Sequence, residues 1–286
     1  MADNLILTCI DLYLKDIKPK VEPTTYKTCA TCMRVFESWL ESQHINRPIW
    51  IDIQNYKRHL IAIGKNATTI HTYFRQVKAF FKWAEINGIY PDVARNVKNV
   101  DGEKFTTHRD SLDLEAVHDI SKKIDTSTTA GKRLYAIFLL CAFCGLRTIE
   151  VSRARIQDMK VKDGNRYLYV CGKGHKVPDT PVLLPQIVVA AIDTYLAELA
   201  PYYRMPMAPL FCSTSNRSMG KRIAPTTIST QIKSAMIAAG YDSSRITAHS
   251  LRNTAATLLF EKTHDIRLVQ HFLRHKTPAE VAIYVN

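Results

Sequence analysis

The chain has 286 residues, enough for one large domain or two ordinary ones with a substantial core, which excludes a small disulfide-stapled fold. Lys and Arg total 39 against 26 Asp and Glu, and the resulting net charge of +13 points to a polyanionic partner. No stretch approaches the roughly 20 apolar residues of a membrane span, and the opening MADNLILTCIDLYLKD carries acids where a secretory signal needs basic residues, so an intracellular, cytoplasmic protein with no membrane partner is expected.

Taken in chain order, the apolar spacing predicts four helices in the first part: LILTCIDLYLKDI, a segment from near Thr24 through Trp39 and Leu40, IDIQNYKRHLIAIG, and TTIHTYFRQVKAFFKWAEING. Pro23, Pro48, Gly64 and Asn87-Gly88 supply the start and stop chemistry. The fourth segment sends Tyr73, Phe74, Val77, Phe80, Phe81 and Ala84 toward a core and leaves Arg75, Lys78 and Lys82 on another face, a basic stripe suited to duplex DNA. Residues 91–110 are polar and charged and read as a linker, which places the domain boundary after residue 102. Residues 1–102 hold 14 basic and 10 acidic side chains and residues 103–286 hold 25 and 16, so both parts are basic.

Beyond the linker, SLDLEAVHDISKKI and GKRLYAIFLLCAFCGL read as helices. The stretch from Arg153 to Leu184 then alternates and is broken at Asp163-Gly164 and Gly172-Lys173-Gly174, which predicts a small antiparallel sheet with tight turns. Helical spacing returns in PQIVVAAIDTYLAELA, APTTISTQIKSAMIAAG, SLRNTAATLLFEKT and HDIRLVQHFLRH. The expected class is therefore mainly α with a small antiparallel β-sheet. Two cysteine pairs, Cys29/Cys32 and Cys141/Cys144, have a spacing used for zinc, but each lies on one face of an apolar helix, so the expectation is small core residues and no metal.

Four dispersed pieces of the second part carry groups suited to a phosphodiester. In Gly145-Leu146-Arg147-Thr148-Ile149-Glu150 an arginine follows an apolar helix, with Glu150 three residues on to orient it. Lys173 sits between glycines at the expected tip of a hairpin. In Ala248-His249-Ser250-Leu251-Arg252 a proton-transfer group and a phosphate clamp are three apart and share a face if helical. The tail runs Leu273-Arg274-His275 and reaches Tyr284, with only Val285 and Asn286 beyond. Two arginines, a lysine, two histidines and a tyrosine compose a nucleophile, charge stabilisation and proton donors for covalent attack on phosphate.

In that order and spacing, GLRTIE, VCGKGHK, AHSLRNTAATLLFE and VQHFLRHKTPAEVAIYV resemble the boxes of the tyrosine site-specific recombinases, the phage-integrase-like enzymes, and the resemblance spans nearly the whole chain. It implies a helical, SAM-like core-binding domain over 1–102 and an α+β catalytic domain over 103–286, closing as a C-shaped clamp on double-stranded DNA. Carried over residue by residue, Tyr284 would be the nucleophile forming a 3′-phosphotyrosyl bond, and Arg147 and Arg252 would neutralise the phosphate oxygens. Lys173 would protonate the departing 5′-hydroxyl, His249 would assist proton transfer at the tyrosine, and His275 would hydrogen-bond a phosphate oxygen. Glu150 would support Arg147 from behind. The resemblance further implies strand cleavage and rejoining without ATP or a metal cofactor, by a tetramer on two sites through a Holliday junction in the nucleoid, with a DNA-bending protein as a candidate accessory.

Three departures stand out, one of them Asn253 directly after Arg252, where histidine is frequent. Arg274 occupies the place of the usual glycine before the second histidine, where it would alter local packing or touch phosphate. Many members carry a further helix after the tyrosine; here either the sequence is shortened or subunits meet through another segment. The competing readings are a type-IB-topoisomerase-like relaxase, which would reseal the same strand, and a DNA-binding regulator that does not cut.

Overall fold

The structure, a computed structural model, describes residues 5–99, 111–171 and 177–274. The chain divides into two compact units, Met1–Phe105 and Thr106–Asn286. The boundary expected after residue 102 falls among residues 100–110, outside the described ones.

The first unit holds four helices, α1 (Leu5–Ile17), α2 (Pro23–Ser42), α3 (Trp50–Ala62) and α4 (Ala67–Ile86). Pro23 is the first helical residue of α2, where a missing N–H costs nothing, whereas the sequence suggested a start one residue later. Asn66 caps α4 by accepting the Thr69 N–H at 2.8 Å. The apolar stripes meet in an aromatic core: Phe36, Tyr56, Phe74, Phe80 and Phe81 are fully buried, and Phe36 meets both Tyr56 and Phe81 edge-on. Burying each such side chain contributes about 1.5–3 kcal/mol. Trp83 Nε1 donates to Asp16 Oδ2 at 2.9 Å and ties α4 to α1.

In the second unit, α5 (Leu114–Lys122) and α6 (Thr129–Cys144) precede a short α7 (Thr148–Arg153), the strands β1 (Met159–Lys162), β2 (Asn165–Val170) and β3 (Thr180–Leu183), and the helices α8 (Gln186–Ala197), α9 (Pro225–Ala238), α10 (Ala248–Thr263) and α11 (Ile266–Leu273). Helix α6 is the centre: Ala136 through Ala142 are all buried, and the helix packs against α8 and α10. The sheet is an antiparallel meander in the order β1-β2-β3. Lys162 pairs with Asn165, leaving Asp163 and Gly164 as a two-residue turn with φ of 49° and 73°, the left-handed pair that matches strand twist. Val170 pairs with Thr180, so residues 171–179 make the second connection, and the turn expected at Gly172-Lys173-Gly174 lies outside the described residues. Lys173 lies there, within residues 172–176, outside the described ones.

The mainly helical class with a small antiparallel sheet is thus as expected. Cys29, Cys32, Cys141 and Cys144 are buried core residues, and burial pushes the thiols up, to about 11 for Cys32 and about 12 for Cys141 and Cys144. No helix among the described residues is long and apolar enough to cross a membrane.

Candidate active site

The site is built where α6 ends. Gly145 closes that helix in the left-handed region, φ 57°, and a Cβ there would come within 3.1 Å of the Phe272 ring and 3.2 Å of Leu273, so glycine is required both by the turn and by the last turn of α11 against it. Two residues on, Arg147 takes the N-cap position of α7. Glu150, three residues later, accepts the Arg147 backbone N–H at 2.8 Å and the Arg147 Nη1 at 2.9 Å. One carboxylate therefore both starts the helix and aims the guanidinium, which keeps 27% of its surface exposed.

Arg252 comes to the same place from α10. Its side chain is 1% exposed, and the guanidinium donates to the main-chain carbonyls of Gly145 and Leu273. Both carbonyls lie at helix C-termini, the negative ends of α6 and α11, which is where a buried cation is best tolerated. The fork of Arg252 joins three helices through two carbonyl oxygens.

Arg274, the C-cap of α11, completes the cluster. It is a non-glycine residue at φ 56°, a conformation that costs about 1–2 kcal/mol for an L side chain. Its Nη1 donates to the Phe272 carbonyl at 2.9 Å, while Nη2 donates to the Gly145 carbonyl at 3.1 Å and to Glu150 Oε2 at 3.0 Å. Hydrogen bonds to a charged partner are worth about 1.5–3 kcal/mol each and offset that strain.

Glu150 is 3% exposed and faces three guanidinium groups. Burial alone would raise its pKa, but Arg274, the Arg147 N–H, Arg252 and Arg147 together outweigh burial and hold the carboxyl below the usual carboxylate range. A depressed folded-state pKa means that the ionised group stabilises the fold above the ordinary glutamate range, a contribution lost as pH falls through the folded value.

Arg147 and His249 open onto one cleft of about 780 Å³, lined also by Ser229, Thr230 and Lys233 of α9 and by Thr247. His249, in the first turn of α10, is exposed at this cleft, whereas Arg252 points inward. The two lie three apart on α10, as the sequence suggested, but differ in burial: residues three apart are rotated by about 60° on a helix, His249 being exposed and Arg252 buried. Lys233 holds its own loop by donating to the Ser243 carbonyl at 2.8 Å.

Of the residues singled out in the sequence, the structure brings Arg147, Glu150 and Arg252 into one network and places His249 on the cleft that Arg147 lines. Lys173, His275 and Tyr284 lie outside the described residues. Arg75, Lys78 and Lys82 belong to the other unit, where they form a stripe on α4 opposite its buried Val77 and Phe81, with Arg75 and Lys82 exposed and Lys78 half-buried. Sequence reasoning missed Ser229, Thr230 and Lys233; their signal was hydroxyls and a cation at i, i+1 and i+4 on a helix whose apolar positions lay elsewhere.

Residues 110–286 match the phage integrase family. The chain is 27% identical over 202 residues to tyrosine recombinase XerH of Helicobacter pylori, covering 69% of this chain and 54% of that protein, so it spans about half the length of that relative. Among solved structures, XerH site-specific recombinase bound to palindromic difH substrate, a post-cleavage complex, aligns with a TM-score of 0.77 and 21% identity over 100% of this chain and 86% of that one. A lambda integrase tetramer bound to a Holliday junction aligns with a TM-score of 0.73 and 18% identity, covering 98% of this chain and 76% of that one. At these identities the structural likeness is one of fold.

Proposed function

The chain belongs to the phage integrase family, and from that premise we propose that it is a site-specific DNA recombinase that cuts and rejoins strands through a phosphotyrosyl bond. The observation that carries this reading is the arginine network itself. Arg147 and Arg252 converge from different helices on Gly145 and Glu150, inside the segment that matches the family.

A free phenol has a pKa near 10, so attack on an anionic phosphodiester at neutral pH needs positive charge around the phosphorus. In this reading Arg147 and Arg252 supply it, and His275 donates to a phosphate oxygen. The Tyr284 oxygen bonds to phosphorus as its proton passes to His249. The bond from phosphorus to the 5′ oxygen breaks as Lys173 protonates that oxygen. The new ester conserves the energy of the old one, so a 5′-hydroxyl from a second duplex reseals the strand without ATP. Cationic side chains do the work that a metal would otherwise do.

Residues 1–102 serve as the DNA-binding core-binding domain and residues 103–286 as the catalytic domain. Arg75, Lys78 and Lys82 contact the duplex backbone. They lie on α4, the helix that contributes Thr68 and Thr72 to a groove lined also by Thr24, Lys27 and Thr28, side chains that suit phosphate oxygens. Four chains act on two duplexes through a Holliday junction, an assembly supported by the lambda integrase tetramer of the same fold, and a DNA-bending accessory and residence on the nucleoid belong to the same reading. The relaxase and the non-cutting regulator are not favoured, since no observation separates them from the integrase pattern in their favour.

Two measurements test this. With two differently labelled duplexes carrying the site that the protein selects from a random pool, recombinant strands should form in EDTA without ATP; cleavage and resealing confined to one duplex would contradict recombination. Changing Arg75, Lys78 and Lys82 together to Ala should flatten the dependence of log affinity on log salt by roughly 0.9 per lost phosphate contact, nearly uniformly across DNA sequences. An unchanged slope in titrations at several salt concentrations would remove the stripe from the interface.

A further inference from the structure

Resting on the recombinase reading, we propose that Arg274 is a positioning residue of this enzyme: its guanidinium latches the end of α11 to Glu150 and Gly145, and so holds Arg147 and Arg252 in register for the phosphate.

The geometry distinguishes a latch from a direct phosphate contact. The Arg274 side chain is 10% exposed, and both of its terminal nitrogens are occupied by acceptors of the protein: Phe272 O, Gly145 O and Glu150 Oε2. Those acceptors lie on two separate pieces of chain, the α6–α7 corner and α11. Arg274 shares Glu150 with Arg147, the two guanidinium groups on different carboxylate oxygens and the Arg147 backbone N–H on the same Oε2 as Arg274, and it shares the Gly145 carbonyl with Arg252. A movement of Arg274 therefore reaches both arginines through one shared atom or group.

The backbone points the same way. A left-handed C-cap favours glycine, and the other one in this corner, at Gly145, has it. At position 274 the chain keeps a long cation despite that preference, and the side chain folds back over the turn that it strains. In the sequence Arg274 directly precedes His275, the first residue of the segment that ends with Tyr284.

Arg274→Gly removes the guanidinium while relieving the backbone, which offsets part of the lost hydrogen bonding, and a circular dichroism melt of the same preparation establishes that the variant is folded before its rate is read. On a nicked duplex, the rate of covalent adduct formation should fall roughly 10- to 100-fold, the scale of a misplaced catalytic group, while duplex affinity and its salt slope stay within twofold of wild type. Arg274→Lys should recover part of the rate, since an ammonium reaches one acceptor rather than three. The acid limb of the cleavage rate should move to higher pH. Glu150 is faced by Arg147, Arg252, Arg274 and the Cys141 thiol, and in this variant it loses the cation that lowers its pKa most.

Wild-type cleavage by Arg274→Gly with an unmoved acid limb would overturn the latch. So would equal losses of binding and cleavage with the salt slope reduced by about one, which would make Arg274 a phosphate contact. If wild-type protein itself forms no adduct, the recombinase reading fails. The latch is then judged by carbon-13 NMR titration of Glu150: a raised midpoint in Arg274→Gly upholds it, and an unchanged midpoint overturns it.

Discussion

Arg252→Ala is expected to lower the thermal midpoint by roughly 6–20 °C and to bring covalent DNA adduct below detection. The stability loss follows from position. Arg252 is buried and its guanidinium satisfies the carbonyls that end α6 and α11. Alanine removes the Arg252 donor from the Leu273 carbonyl and leaves the Gly145 carbonyl to Arg274 alone, empties the volume of the side chain, and takes one positive charge from Glu150, a combination worth about 3–5 kcal/mol. For a protein of this size each kcal/mol shifts the midpoint by roughly 2–4 °C.

The chemical loss is separable with Arg252→Lys. Lysine keeps a cation in the interior but cannot span two carbonyls with one planar fork. The variant should melt closer to wild type and still cleave at least 100-fold more slowly, as expected when a preorganised donor for a developing charge is removed. Circular dichroism melts and adduct kinetics on the same preparations read both effects. A lysine variant that cleaves at the wild-type rate would mean that the buried guanidinium serves the fold alone.

The interior of Arg252 also shows where sequence reading stops. The helices of the first unit were legible because their apolar residues recur at helical spacing over long segments, as in Ile70, Phe74, Val77 and Phe81 of α4, and because Asn87-Gly88 marks an end. The six-residue α7 was not, since it is too short for a period to register; only its Arg147/Glu150 pair hinted at a helix start. The resemblance located Arg147, His249 and Arg252 on the chain, but not that one of them would be buried and another exposed. That outcome depends on α6 and α11 ending side by side, a contact between residues more than a hundred positions apart. The same distance hid the bond from Arg274 to Glu150, which sequence alone left open between altered packing and phosphate contact.

Tyr284→Phe carries the other large effect. The substitution removes a single oxygen near the end of the chain and leaves every group of the arginine network unchanged. DNA affinity, set by phosphate contacts, should therefore stay within twofold of wild type, while the covalent step has no nucleophile. Tyr195 of the same unit is no substitute: it is buried beside Phe211, and burial holds its phenol well above the ordinary range.

The decisive measurement uses a nicked duplex bearing the selected site, so that the cleaved end diffuses away and the intermediate accumulates. Protein and labelled DNA are resolved on a denaturing gel and the adducted peptide is sequenced. Wild type should give a single protein–DNA adduct, with the 3′-phosphate on Tyr284, and Tyr284→Phe should give none while shifting the duplex normally on a native gel. An adduct of undiminished yield in Tyr284→Phe, or one mapped to any other side chain of the wild-type protein, would contradict the proposed chemistry.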